Sequence, residues 1–188
     1  MSTKDAILRL GEDLFRSRGF NAFSYYDLAE ALKVRPAAIH YHFPTKEDLA
    51  IAIIERERAA FRSFAERVDA REDVRGRLTA FVQTFAPHAE AHEICLVGAA
   101  GGDYYSFGDR VRTHVMGMAD DILRWLERTL KEGRDHGVLH FGGSPSTRAL
   151  MVVSTLAASL HLSRIVDPAV HRRVVRQLLS DLTTPSSS

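Results

Sequence analysis

The chain has 188 residues, 45% of them apolar and 26% charged, with a formal net charge of +1 and one cysteine. This composition excludes a disordered chain and a disulfide-stapled secreted scaffold. Bulk charge carries no nucleic-acid signal either, because residues 1–50 hold seven Lys/Arg against seven Asp/Glu.

Ile7, Leu10 and Leu14 recur at helical spacing behind a Ser2-x-x-Asp5 capping box, and Gly19 falls where that helix should end. Ser24-x-x-Asp27 and Thr45-x-x-Asp48 are two further boxes. Between them, Leu28, Leu32, Val34 and Ile39 are spaced to fill the small core of two short helices, with Ala29 at their close crossing. Pro36 sits in the first turn of the second helix, where its missing N–H costs nothing, and Pro44 stops that helix. The pattern predicts a helix-turn-helix followed at once by a third helix. The exposed face of the second helix offers Arg35, Ala38, His40, Tyr41 and His42, while Phe43 turns inward.

A helical pattern then runs from Thr45 to about Val68, roughly 35 Å at the α-helical rise. Leu78, Phe81, Val82 and Phe85 mark another helix stopping near Pro87, and Ile94 to Ala100 form a short apolar piece before Gly101-Gly102. From Asp109 to about His136, Val111, Val115, Met118, Ile122, Trp125, Leu126 and Leu130 share one face. Ser144-Pro145 and Asp167-Pro168 open the last two helices. The first of these carries no charge between Arg148 and Arg164 and is expected to be buried on nearly all sides. The expected fold is all-α, with about nine helices. The expected division is a helix-turn-helix domain over 1–48, a larger helical domain over 49–183, and a disordered tail over 184–188. The longest uncharged apolar run, Ala149 to Ser163, is short of the roughly 20 residues that span a bilayer. The N-terminus lacks an apolar signal core, so a cytoplasmic location is expected.

The phrase from Ser24 through Leu28-Ala29, Lys33-Val34 and Ile39-His40-Tyr41-His42-Phe43 to Thr45-Lys46-Glu47-Asp48-Leu49 resembles the tetracycline-repressor family of bacterial regulators. The resemblance covers about residues 5–50. It implies a DNA-binding site of Ser24, Arg35, Pro36, Ala38, His40, Tyr41, His42 and Lys46. Within it, Arg35, Ala38 and His40 are expected to approach base edges, and Ser24, Tyr41 and Lys46 to grip phosphates. Lys33 stands where the family often has glycine; a non-glycine residue held left-handed there costs about 1 kcal/mol, so the turn is expected to differ slightly. His40 replaces a tyrosine usual before Tyr41.

One short recognition helix contacts too little DNA to be selective, so a homodimer on two half-sites is expected. The helices at about 145–165 and 168–182 are the candidates for pairing. Phe81, Phe85, Cys95, Tyr104, His114, Met118, Trp125 and His161 are the candidates for binding a small-molecule effector, with core packing as the plainer alternative for each. The expected function is a ligand-responsive repressor released from a palindromic operator, with no cofactor and no membrane partner. Cys95, flanked by Ile94 and Leu96, reads as a small buried hydrophobe, with a thiol-based electrophile or oxidant sensor as the sharper alternative. His88-x-x-x-His92-x-x-Cys95 has metal-like spacing but no fourth ligand, and no metal is expected. An enzyme is not expected: Gly98-Ala-Ala-Gly-Gly102 lacks a preceding strand and a lysine, and Asp120-Asp121 diverge by about 100° on a helix.

Overall fold

The computed structural model describes residues 2–184, which form ten α-helices and two short 3₁₀ turns with no strand among them. Most of the expected tail lies outside the described residues. The helices are α1 (Thr3–Arg18), α2 (Tyr25–Leu32), α3 (Pro36–His42), α4 (Lys46–Arg71), α5 (Val74–Gln83), α6 (Ala86–Glu90), α7 (Leu96–Asp103), α8 (Asp109–Asp135), α9 (Pro145–Ile165) and α10 (Ala169–Thr183). The helix beyond the expected nine is α6, a single turn with Pro87 in its first positions. Pro87 therefore starts a helix where the sequence reading had it stopping one. No helix among the described residues is long and apolar enough to cross a membrane.

The chain separates into two compact units, Met1–Ala59 with Cys95–Met118, and Ala60–Ile94 with Ala119–Ser188. This differs from a boundary at 48/49. Residues 95–118 join the first unit because Phe107 packs on Phe15 and Phe20, with ring centres 6.3 and 5.2 Å away. Asp103 also accepts hydrogen bonds from the Phe20 amide (2.6 Å) and the Asn21 side chain (2.8 Å).

In the first unit all three capping boxes form. Asp5, Asp27 and Asp48 each donate a backbone N–H to the hydroxyl three residues earlier and accept the capping residue's own N–H. Ile7, Phe15, Leu28, Ile39, Leu49 and Ile53 are buried together as its core. Arg16 is buried among them at 2% exposure, which is tolerable only because Glu12 and Glu57 pair with it at 2.9 and 2.8 Å.

In the second unit α9 and α10 pack along much of their length. Val152, Leu156, Leu160, Val170 and Leu182 are buried apolar side chains of these two helices. A small polar network joins them: Ser159 and Ser163 on α9, and His171 on α10, all nearly inaccessible. The expectation that α9 is buried all round does not hold within one chain. Leu150, Met151, Leu162, Ile165 and Val166 are 47–80% exposed.

Candidate functional site

The α2–α3 pair is shaped by its turn. Lys33 adopts a left-handed conformation (φ 55, ψ 42), and the Val34 amide reaches back to the Ala29 carbonyl at 3.0 Å, closing α2 in a Schellman motif. A non-glycine residue thus occupies the left-handed region that favours glycine. Arg35 precedes α3 without a side-chain capping bond, so its guanidinium is exposed and uncommitted there. Pro36 opens α3. Tyr41 is 84% exposed, a large aromatic side chain with no role in the core. It stands beside His42, whose ring centre is 5.1 Å away. His40 is exposed and Ala38 half-buried on the same short helix.

Tyr25 holds the far end of α3, a role that the sequence reading missed. It is buried, and its hydroxyl reaches the Phe43 carbonyl at 2.9 Å and the Thr45 carbonyl beyond it. Burial, reinforced by the Asp48 carboxylate, pushes this phenol well above its usual range and keeps it a donor. The Tyr25 ring meets His40 edge-on with ring centres 4.8 Å apart. The available signal was helical spacing, since position 25 shares a face with Leu28, Ala29 and Leu32.

Two predicted phosphate contacts are engaged inside the unit. The Ser24 hydroxyl donates to Asp27 at 2.7 Å as part of its capping box. Lys46 donates to the Phe20 and Phe23 carbonyls, and its ammonium lies 4.3 and 4.4 Å from those ring centres. Burial lowers its pKa from the ordinary lysine value. Lys46 therefore clasps the turn between α1 and α2, a different engagement from the one expected of it.

The eight predicted effector residues fall in two groups, one in each compact unit. Cys95, Tyr104, His114 and Met118 belong to the first unit, and Phe81, Phe85, Trp125 and His161 to the second. In the first, Cys95 caps α7 by accepting the Gly98 amide at 3.4 Å, and burial pushes its thiol above the ordinary value. His114 bonds Glu55 at 2.7 Å, which holds that carboxyl below its usual range. Tyr104 lies under the Arg112 guanidinium, and Met118 is buried. In the second unit Phe81 touches both Phe85 and Trp125, with ring centres 5.6 and 5.5 Å apart, and Phe61 joins Trp125 at 5.9 Å. These rings fill one another's space. The open volume lies beside them, a groove of about 350 Å³ lined by Phe61, Ala65, Trp125 and the ion pairs Arg62–Asp121 and Arg128–Asp69. His161 is exposed and bonds the Ala157 carbonyl of its own helix.

His88 and His92 do not share a helix face. His92 lies beyond α6 at φ 55, and His88 pairs with Glu93 at 3.0 Å. Among the described residues no group of three or more His, Cys, Asp or Glu side chains is arranged to hold a metal ion.

Residues 7–53 match the family model described as bacterial regulatory proteins, tetR family. Over 175 residues the chain is 26% identical to the HTH-type transcriptional repressor NemR of Escherichia coli strain K12, covering 88% of this chain and 87% of that one. Its fold is that of a tetR-family transcriptional regulator from Agrobacterium tumefaciens (TM-score 0.89, 24% identity, 96% and 97% of the two chains). It is also similar in fold to AibR, solved in complex with isovaleryl coenzyme A and operator DNA (TM-score 0.76, 17% identity, 98% and 100% covered).

Proposed function

We infer the function from one premise, that the chain belongs to the tetR family of bacterial regulatory proteins. It is a ligand-responsive, DNA-binding transcriptional regulator. We propose that it acts in the cytoplasm as a homodimeric repressor, with α3 of each protomer in the major groove of a two-fold operator until a small molecule releases it. One observation carries this reading: Tyr41 and Arg35 stand exposed on and beside a helix that Tyr25 and the Lys33 turn fix rigidly in place. Exposed aromatic and cationic groups on a rigid element suit groove entry and phosphate contact. In this reading Arg35, Pro36, Ala38, His40, Tyr41 and His42 make the DNA surface, and the Ser24 cap sets its edge.

The effector binds beside Trp125 and Phe61, where a groove lined on its other sides by Arg62, Glu66, Asp69, Asp121, Arg124 and Arg128 adjoins the aromatic cluster. That volume is at the lower end of small-molecule sites. A ligand there acts by preferring one of two dimer states. No catalytic step enters this reading, and the adjacent carboxylates Asp120 and Asp121 are drawn apart by Arg124 and Arg62.

The test is selection of an operator from random duplexes, followed by Tyr41→Ala and Arg35→Ala titrations at several salt concentrations. Removing a cation from a phosphate lowers the slope of log affinity against log salt by about one, the change expected of Arg35→Ala, whereas Tyr41→Ala removes a neutral contact and should lower affinity at every salt concentration with the slope unchanged. If both variants keep wild-type affinity and slope, the DNA surface lies elsewhere. Thiol sensing at Cys95 is the weaker reading, since the half-buried sulfur is engaged by the Gly98 amide and burial raises its pKa, which disfavours the reactive thiolate. Slow alkylation by iodoacetamide at neutral pH is expected, and rapid modification that releases DNA would reinstate it.

A further inference from the structure

The DNA-reading assignment leaves open what His40 contributes, and its surroundings answer that. His40 Nδ1 lies 3.2 Å from the Pro44 carbonyl oxygen. A carbonyl only accepts, and a neutral imidazole carries a single proton, so this contact requires the proton on Nδ1. The ring cannot easily turn away, because Tyr25 meets it at 4.8 Å and is itself pinned to Phe43 and Thr45. Nε2 is therefore left as a lone pair without a partner among the described residues, on an exposed side chain of α3.

A lone pair repels a phosphate oxygen and suits a donor. In the major groove the donors are the adenine N6 and cytosine N4 amino groups, whereas guanine O6 and N7 and thymine O4 accept. We propose that His40 is a specificity-determining residue that accepts a hydrogen bond at Nε2 from an adenine or cytosine amino group, and that Pro44 sets this by fixing the ring's tautomer. Where a tyrosine hydroxyl at this position serves as donor or acceptor alike, His40 is acceptor only. The proposal rests on the DNA-binding reading and assigns one position of the half-site.

The experiment is parallel selection from a random duplex pool with the full-length wild type, His40→Ala and His40→Gln, each first checked for a wild-type melting temperature. The wild type should enrich a two-fold sequence with adenine or cytosine at one position per half-site facing α3. His40→Ala should lose that preference alone, by roughly 5- to 150-fold in discrimination. His40→Gln offers an amide oxygen and N–H at the Nε2 position and should keep or sharpen a preference for adenine. An unchanged position-by-position preference in His40→Ala, with affinity lowered uniformly, would make His40 a phosphate contact and overturn the proposal. Loss of a guanine preference would overturn it too, because it would make Nε2 a donor. Failure of the wild type to enrich any sequence would instead bring down the DNA-binding reading beneath it.

Discussion

The Ser159 hydroxyl and His171 Nδ1 lie 2.8 Å apart in the seam between α9 and α10. Ser159 donates its own proton to the Leu156 carbonyl at 2.7 Å, so the imidazole must donate through Nδ1. Ser163 closes the network by accepting the His171 amide at 3.0 Å and donating to the Ser159 carbonyl. Nε2 of His171 is buried without a protein partner, and Phe85 stacks on the ring. Protonation would place a charge where no acceptor receives it, and burial accordingly lowers this histidine's pKa.

A stability loss in acid follows. The unfolded chain takes up a proton near the ordinary histidine pKa while the folded chain does not, so this contribution is intact above about pH 6.5 and is lost as pH falls toward the folded value. Within that window one such group accounts for up to about 1.4 kcal/mol per pH unit. His171→Asn retains a donor toward Ser159 and cannot titrate, so urea unfolding from pH 8 to 5 should show a shallower decline than wild type. Parallel curves for the two proteins would show that another group is responsible.

Lys33 and His92 both hold φ 55 in left-handed C-terminal turns, closing α2 and α6. Glycine adopts this conformation freely but adds entropy to the unfolded chain, so the net gain for each of Lys33→Gly and His92→Gly is about 0.5–1 kcal/mol. The sites lie in different compact units and share no partner, so the gains should add in the double variant. Thermal unfolding checks this. A loss at Lys33 would mean that its side chain stabilises the turn by contacts outweighing the backbone strain.

Much of this was legible in the chain. Each Ser/Thr-x-x-Asp box and the Ser144-Pro145 start are local signals, in which one side chain satisfies an N–H a few residues away, so no tertiary knowledge is needed to read them. The Lys33 conformation was legible only through the resemblance, which places glycine at that turn, and the slight departure expected of a non-glycine residue there is not seen, since Lys33 holds the left-handed conformation itself. What sequence could not supply was partnership at long range. Nothing near Lys46 announces that Phe20 and Phe23 will offer it two carbonyls, and nothing near Asp103 announces that it will hold the Phe20 amide from 83 residues away. Chemical type alone marks the effector candidates, and type does not reveal that Phe81, Phe85 and Trp125 pack on one another.

The Lys46 clasp makes a prediction that separates folding from DNA binding. Lys46→Met keeps the aliphatic stem but leaves the Phe20 and Phe23 carbonyls unpaired and removes the cation from both rings. A loss of about 1–3 kcal/mol in unfolding free energy is expected, toward the lower end because the side chain is only partly buried. Well below the melting transition, the salt slope of operator binding should stay at the wild-type value. A slope lower by about one with an unchanged melting temperature would return Lys46 to the role of a phosphate contact.

The apolar stripe of α9 makes the strongest prediction for assembly. Leu150, Met151, Leu162 and Ile165 of α9, with Val166 just beyond it, are between 47% and 80% exposed, while Ala149, Val152, Leu156 and Leu160 of the same helix are buried. Leu150, Ser154, Ala158, Leu162 and Ile165 recur at three- and four-residue steps, so they form one continuous face. A contiguous apolar face of this kind marks an interaction surface on a soluble chain, and a second copy meeting it about a two-fold axis would bury both faces at once. Ile165→Glu inserts an unpaired carboxylate into that face on each protomer, where its desolvation opposes burial of the face. Sedimentation should then show a monomer at concentrations where wild type is dimeric. Operator affinity should fall by far more than any single DNA contact supplies, because each half-site would have to be bound alone. Ser63→Glu, an exposed change on α4, serves as the control for added charge. If Ile165→Glu sediments as the wild-type dimer, the pairing surface is not the α9 stripe.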